Sequence, residues 1–110
     1  MGLCFPGSGK GGDIPPRKEC AATWRNPVLE HLTGVELTVV MGRYAIDWHL
    51  PSLKRASVAD AVSALDPTTA QHIVLPHPSP RNMRWFRSHP WFEAEVVPAL
   101  QKRVEVILSA

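Results

Sequence analysis

Residues that could carry chemistry are concentrated in one proline-rich segment, residues 75–82, which reads Leu-Pro-His-Pro-Ser-Pro-Arg-Asn. Its three prolines fix their own φ angles and push each preceding residue toward an extended conformation. The segment is therefore predicted to be a stiff loop that displays His77, Ser79 and Arg81. A restrained imidazole can donate a hydrogen bond to an oxygen on which negative charge develops. The alternative is a histidine that only packs in a turn.

A local excess of positive charge follows this loop, although the net charge of the chain is only +2. Residues 76–92 contain three arginines, two histidines and no acid. Arg81, Arg84 and Arg87 are three residues apart, which places them near one side of a helix. Such a row favours charge contacts with phosphates, and a solvated basic face is the alternative. Trp85 and Phe86 could insert into a base stack, but core packing is the preferred interpretation.

The apolar pattern predicts an α/β fold with short buried strands between helices. Strands buried on both faces are expected over residues 36–41 and 72–75. Ser57 is predicted to cap the start of one helix, and Gly34 the end of another. Pro27 and Pro98 fall inside predicted helices and indicate kinks or breaks. The helices are expected over residues 17–32, 43–50, 57–65, 81–88 and 90–108.

Length and composition limit the chain to one domain of ordinary globular character. The 110 residues are 45% hydrophobic and 20% charged, which is usual for such a domain. Neither a secretory signal nor an apolar run of membrane-spanning length is visible. A cytoplasmic monomer without membrane contact is therefore expected. Cys4 and Cys20 do not indicate a disulfide scaffold in such a protein.

The proline-rich loop is one of several short motifs whose order and spacing are informative. The others are Met1-Gly2-Leu3-Cys4-Phe5-Pro6-Gly7, Gly12-Asp13-Ile14-Pro15-Pro16-Arg17-Lys18-Glu19-Cys20-Ala21, Met41-Gly42-Arg43-Tyr44-Ala45 and Pro90-Trp91-Phe92. Together they resemble a bacterial branch of the uracil-DNA glycosylase superfamily over nearly the whole chain. The resemblance implies a three-layer α/β/α sandwich with a four-stranded parallel sheet. Residues 1–110 resemble the C-terminal part of that domain, with its last two strands.

The resemblance also implies an activity, the flipping of uracil out of DNA and hydrolysis of its N-glycosidic bond in base excision repair. His77 would hydrogen-bond a carbonyl oxygen of the flipped uracil and stabilise the departing base. Ser79 and the main-chain N–H groups of residues 77, 79, 81 and 82 would hold a phosphate beside the target nucleotide. The further DNA-binding residues are predicted to be Arg81, Asn82, Arg84 and Arg87.

The two cysteines resemble the second pair of cluster ligands in the iron–sulfur members of the superfamily. Cys4 and Cys20 are separated by fifteen residues, and the resemblance implies a [4Fe–4S] cluster in the full-length relative. Such a cluster needs four thiolates. No cluster is therefore expected in this chain alone, and two ordinary buried thiols are the alternative.

The sequence contains no counterpart of the Gly-Gln-Ala-Pro-Gly-like first motif, whose loop contacts the attacking water in the resembled family. We therefore expect weak or no glycosylase activity from these 110 residues. Met1 falls where the resemblance would continue through a strand, which is compatible with an internal methionine. Two alternatives stay open. One is a non-catalytic nucleic-acid-binding or degenerate fragment, and the other is a metal-dependent assembly that pools four cysteines.

Overall fold

A computed structural model of the protein describes residues 5–109, which divide into two compact units after Val35. The first unit opens with a short antiparallel hairpin of β1 (Ser8–Gly9) and β2 (Gly12–Asp13). A helical segment follows, made of α1 (Lys18–Cys20), a π-helical stretch (Ala21–Arg25) and α2 (Asn26–His31). No helix within residues 5–109 is long and apolar enough to cross a membrane.

The second unit is built on two parallel strands, β3 (Thr38–Met41) and β4 (His72–Leu75). Their register runs from Thr38 opposite His72 to Met41 opposite Leu75. The chain between them forms α3 (Arg43–His49), a 3-10 turn (Pro51–Leu53) and α4 (Val58–Ser63). After β4 come a 3-10 turn (Pro80–Asn82), α5 (Met83–Ser88), a π-helical stretch (Phe92–Val96) and α6 (Val97–Ser109). The predicted α/β class with a parallel sheet is confirmed.

The core of the second unit joins the two strands to the helices between and after them. Val40 of β3 and Val74 of β4 are opposite each other in the register and almost completely buried. Ile46 of α3 is equally buried, and Phe92 closes the cluster from the last helical segment. Removing apolar side chains of this size from water contributes roughly 1.5–3 kcal/mol each. This core therefore fixes β3 and β4, and β4 leads directly into the proline-rich loop of residues 75–82, the His77 loop.

Strand β3 differs from its prediction in both length and burial. It begins at Thr38, and Val39 and Met41 are 38% and 47% exposed while Val40 is buried. Successive side chains of a strand point to opposite faces, so only one face of β3 lies against the core. The prediction of burial on both faces is wrong for β3. It is right for the middle of β4, where Ile73 and Val74 are both buried.

Each proline that was expected to kink a helix follows a π-helical stretch. Ala21–Arg25 ends two residues before Pro27, and Phe92–Val96 ends two residues before Pro98. Proline has no N–H to donate, and its ring collides with the carbonyl of the preceding turn. A π-turn is wider than an α-turn, which accommodates the ring. The helical segments therefore continue through both prolines instead of breaking.

The two predicted helix caps have different outcomes. Ser57 precedes α4 and its Oγ accepts a hydrogen bond from the Asp60 N–H at 3.0 Å, so this cap is confirmed. The prediction for Gly34 is wrong, because α2 already ends at His31. There the Leu32 N–H donates to the Leu29 carbonyl at 3.0 Å. That bond closes the last turn without a glycine in a left-handed conformation.

Arg43, the first residue of α3, ties this helix to the loop that follows it. Its guanidinium donates to the carbonyl of Ala56 at 2.6 Å and to that of Lys54 at 3.1 Å. It also lies 3.5 Å from a carboxylate oxygen of Asp47. The planar group carries five N–H donors in a fixed geometry and can serve several acceptors together. The beginning of α3 is thereby held directly after β3.

We expect Arg43→Ala to lower the free energy of unfolding by about 1–3 kcal/mol, because it leaves the part-buried Ala56 carbonyl without its charged donor. Urea unfolding followed by circular dichroism measures this loss. Arg55→Ala, at an exposed arginine of the same loop, is the matched control and should change stability by no more than about 0.5 kcal/mol. Equal losses in the two variants would contradict the role given to Arg43.

Candidate active site

The ends of the two parallel strands bring the Gly42 and His77 segments together. The N–H of Gly42 donates to the carbonyl of Leu75, the last residue of β4, at 3.1 Å. The strand pairing therefore extends one residue beyond β3. Side chains that follow the carboxyl ends of neighbouring parallel strands share one edge of the sheet, where ligand sites of α/β proteins commonly lie. His77 stands at this edge.

The side chain of His77 lies against Gly42. A Cβ atom at position 42 would be 3.4 Å from the Cβ of His77 and 3.6 Å from its Cδ2. Gly42 is itself buried and has a φ of +82°, a conformation that residues with a side chain rarely adopt. Position 42 therefore requires glycine for its main chain, and the imidazole of His77 packs on that main chain.

Hydrogen bonds inside the loop restrain the main chain on the other side of His77. The His77 carbonyl accepts from the Ser79 N–H at 2.8 Å and from Nδ2 of Asn82 at 2.6 Å. Ser79 in turn accepts at its carbonyl from the Asn82 N–H at 2.9 Å. These bonds add a second restraint to that of the three prolines. The imidazole itself remains exposed, so a rigid support carries an accessible donor.

The same hydrogen bonds change what the loop can offer to a phosphate. Of the four N–H groups expected to face one, those of Ser79, Arg81 and Asn82 donate within the loop. The Ser79 Oγ accepts from the Arg81 N–H at 3.2 Å and caps the 3-10 turn. The hydroxyl of Ser79 still has its own O–H to donate. Phosphate binding in this conformation would therefore depend mainly on side chains.

The predicted DNA-binding side chains lie in the loop and along the helix after it. Ser79, Arg81 and Asn82 belong to the turn that starts at His77, while Arg84 and Arg87 lie on α5. All three arginines are exposed, and Asn82 is half-buried. The loop and α5 thus carry all five of the predicted DNA-binding residues. Their roles in binding DNA stay predictions.

A sequence comparison shows which family this arrangement belongs to. The model of the Uracil DNA glycosylase superfamily matches residues 2–101, which include both parallel strands and the His77 loop. The chain belongs to the uracil-DNA glycosylase superfamily. The resemblance stated from the motifs is thereby confirmed.

In this uracil-DNA glycosylase superfamily chain, Trp85 and Phe86 pack inside the second unit. The Trp85 ring meets those of Phe86 and Phe92 edge to face, with centroids 5.5 and 5.6 Å apart. It also stacks on His89 at 4.2 Å, and Nδ1 of His89 lies 2.7 Å from the Trp85 carbonyl. Because a carbonyl only accepts hydrogen bonds, Nδ1 must carry the proton. The core-packing interpretation of these aromatic residues is confirmed, and the cluster anchors α5.

The structure describes only one of the two predicted cluster ligands. Cys4 lies outside the described residues, and Cys20, at the end of α1, is a half-buried free thiol. Among residues 5–109 no three His, Cys, Asp or Glu side chains are grouped so that they could hold a metal ion. The two cysteines of the sequence are too few to ligate a [4Fe–4S] cluster by themselves, because the cluster takes four. The cluster of the full-length relative stays a prediction.

Two site residues were missed or understood differently at the level of sequence. No role is predicted for Gly42 from the sequence. A glycine between a strand and a helix is nevertheless a known signal of a close approach or a positive φ. Asn82 was assigned to DNA, whereas its side chain here donates to the His77 carbonyl. That bond joins residues five apart through an irregular loop, so no periodic pattern could reveal it.

Asn82→Leu is expected to speed hydrogen exchange at the Ser79 amide about fivefold, the effect of losing roughly one hydrogen bond of support. The Ser79 N–H shares the His77 carbonyl with Nδ2 of Asn82, so losing the second bond should open the loop more often. Amide exchange followed by NMR measures the rate. Asn26→Leu, at the exposed asparagine that begins α2, is the control. Unchanged exchange at Ser79 in Asn82→Leu would contradict the restraint.

Proposed function

We propose that this protein acts in the removal of uracil from DNA, with His77 stabilising the base as it departs. Cleavage of the N-glycosidic bond leaves the bonding electrons on uracil, and the negative charge spreads to its carbonyl oxygens. An N–H donor aimed at such an oxygen stabilises the transition state more than the ground state. The observation that carries the proposal is the exposed imidazole of His77, restrained on Gly42 at the carboxyl edge of the parallel sheet.

DNA binding in this proposal comes from the basic side chains that follow His77. Arg81, Arg84 and Arg87 are exposed, and no acid occurs in residues 76–92 to offset their charge. Contacts between cations and phosphates give affinity without sequence preference. They weaken steeply as the salt concentration rises, because the release of counterions from DNA on binding is then less favourable. The Ser79 hydroxyl adds a neutral donor in the same turn. Recognition of the base is then left to the imidazole.

The attacking water is not assigned to any residue of this chain. The 110 residues contain no counterpart of the Gly-Gln-Ala-Pro-Gly-like loop of the family. We infer that these residues by themselves bind uracil-containing DNA and release uracil weakly or not at all. Binding selectivity is therefore a more direct readout of His77 than turnover.

A non-catalytic nucleic-acid-binding protein is the second candidate, and the exposed arginines favour it. Charge contacts alone would bind any DNA of the same length, with no distinction between uracil and adenine. The two candidates therefore share the salt dependence of binding. The two candidates differ in whether a single uracil in the DNA strengthens binding.

His77→Ala is expected to reduce the preference for DNA with uracil over matched DNA with adenine at the same position by about tenfold, because adenine has no carbonyl oxygen to accept from the imidazole and a neutral hydrogen bond contributes up to roughly 1.5 kcal/mol. Fluorescence anisotropy with two labelled oligonucleotides measures both affinities. Arg84→Ala should weaken binding of both equally and reduce the slope of log K against log salt by about 1. Lys102→Ala, at an exposed cation of α6, is the control. A wild-type chain that binds both DNAs equally would favour the second candidate.

Uracil release under single-turnover conditions, with protein in excess over DNA, is expected to stay close to the background without protein. The physical reason is that no residue here is assigned to position water, so stabilising the leaving base assists only one part of the transition state. Alkaline cleavage of abasic sites measures the product. Robust release by the 110-residue chain would contradict this expectation, and its loss in His77→Ala would still support the role of the imidazole.

A further inference from the structure

We propose that Gly42 is a positioning residue for His77, because its bare main chain is the surface that sets where the imidazole lies. The use of that imidazole on uracil rests on the proposed function above. The contact between Gly42 and His77 is independent of that function. Gly42 lies on a different strand connection from His77, thirty-five residues earlier in the sequence, so the inference links two segments that only the fold brings together.

Gly42 is fixed at both of its main-chain polar groups. Its N–H donates to the Leu75 carbonyl at 3.1 Å, which ties it to the end of the strand that leads to His77. Its carbonyl accepts from the Ile46 N–H at 3.0 Å, which ties it to the first turn of α3. Ile46 is completely buried in the core. The surface under the imidazole therefore has little freedom to shift.

The space between Gly42 and His77 is small. A Cβ at position 42 would already be in van der Waals contact with three atoms of His77, its Cβ at 3.4 Å, Cδ2 at 3.6 Å and Cγ at 3.9 Å. The further atoms of a larger side chain would branch from a Cβ that already touches His77, so they would compete with the imidazole for space. Glycine thus lets the His77 side chain lie against the main chain.

A comparison of Gly42 with Gly7 separates the steric effect of a new side chain from backbone strain. Gly42 has a φ of +82°, so every other residue at this position is strained as well as larger. Gly7 has a φ of +106°, and a Cβ there would meet only the side chain of Ile14 at 3.5 Å. Substitutions at Gly7 therefore reproduce the strain without the contact. A comparison of Gly42→Val with Gly7→Val therefore isolates the effect of steric contact on the His77 imidazole.

The direct test of the contact is NMR of the full chain. We expect a nuclear Overhauser effect between an α proton of Gly42 and the δ2 proton of His77 in the wild-type protein. Gly42→Val should shift the Cδ2–Hδ2 signal of His77, while the same signal of His89, which stacks on Trp85, stays in place. Gly42→Ala, whose Cβ only reaches van der Waals contact, should give a smaller shift. It keeps the test decisive if Gly42→Val does not fold.

The functional part of the test uses the same two oligonucleotides with uracil or adenine. Gly42→Val should lower the preference for uracil about tenfold, as far as His77→Ala does, because the hydrogen bond to the base is lost in both. Its affinity for adenine-containing DNA should stay within twofold of wild type, since the arginines are untouched. A merely structural role would reduce both affinities together. Gly7→Val should alter neither.

The outcomes are distinguishable. No Overhauser effect in the wild type, or a folded Gly42→Val with an unmoved His77 signal and an unchanged preference for uracil, would overturn the inference. A loss of affinity shared by both DNAs would also overturn it, in favour of a structural role. A moved His77 signal in a chain whose wild type never distinguishes uracil would overturn the proposed function and leave the contact supported.

Discussion

The hydrogen bond from the Gly42 N–H to the Leu75 carbonyl is the contact on which the arrangement of this site depends. It extends the parallel pairing of β3 and β4 past the last residue of β3, into the segment where α3 begins. Because the strands are parallel, both chains leave the sheet at the same edge, and the His77 loop comes to lie on Gly42. An antiparallel pairing would have placed these two segments at opposite ends. The direction of strand pairing thus decides whether the imidazole has a support.

That support has conformational requirements that neighbouring residues meet. The positive φ of Gly42 turns the chain sharply from β3 into α3, and Arg43 then holds the helix by donating to carbonyls of the next loop. On the other side, the carbonyl of His77 is held by Ser79 and Asn82. His77 is therefore restrained through its own main chain and through the surface beneath its ring. Neither restraint uses the ring nitrogens, which leaves them available for a ligand.

Much of this could be predicted from the sequence, because it depends on local chemistry. Strand β4 coincides with the predicted residues 72–75, and the Ser57 cap depends on a side chain and an N–H three residues apart. Other features depend on the tertiary environment. The apolar run before Gly42 could not reveal that Val39 and Met41 are exposed. Nor could it show that Asn82 reaches back to His77, since no sequence spacing specifies a hydrogen bond across an irregular loop.

The hydrogen bonds of the loop also decide which of its groups the proposed function can use for recognition. Three of the four N–H groups first expected to face phosphate are used to shape the loop itself. In the proposed function, a loop whose main-chain donors hold its own shape can position one imidazole accurately, and the contacts with DNA phosphates fall to the arginine side chains. Affinity and base selectivity would then reside in separate side chains, the arginines and His77. A substitution would for this reason be able to remove one property and leave the other intact.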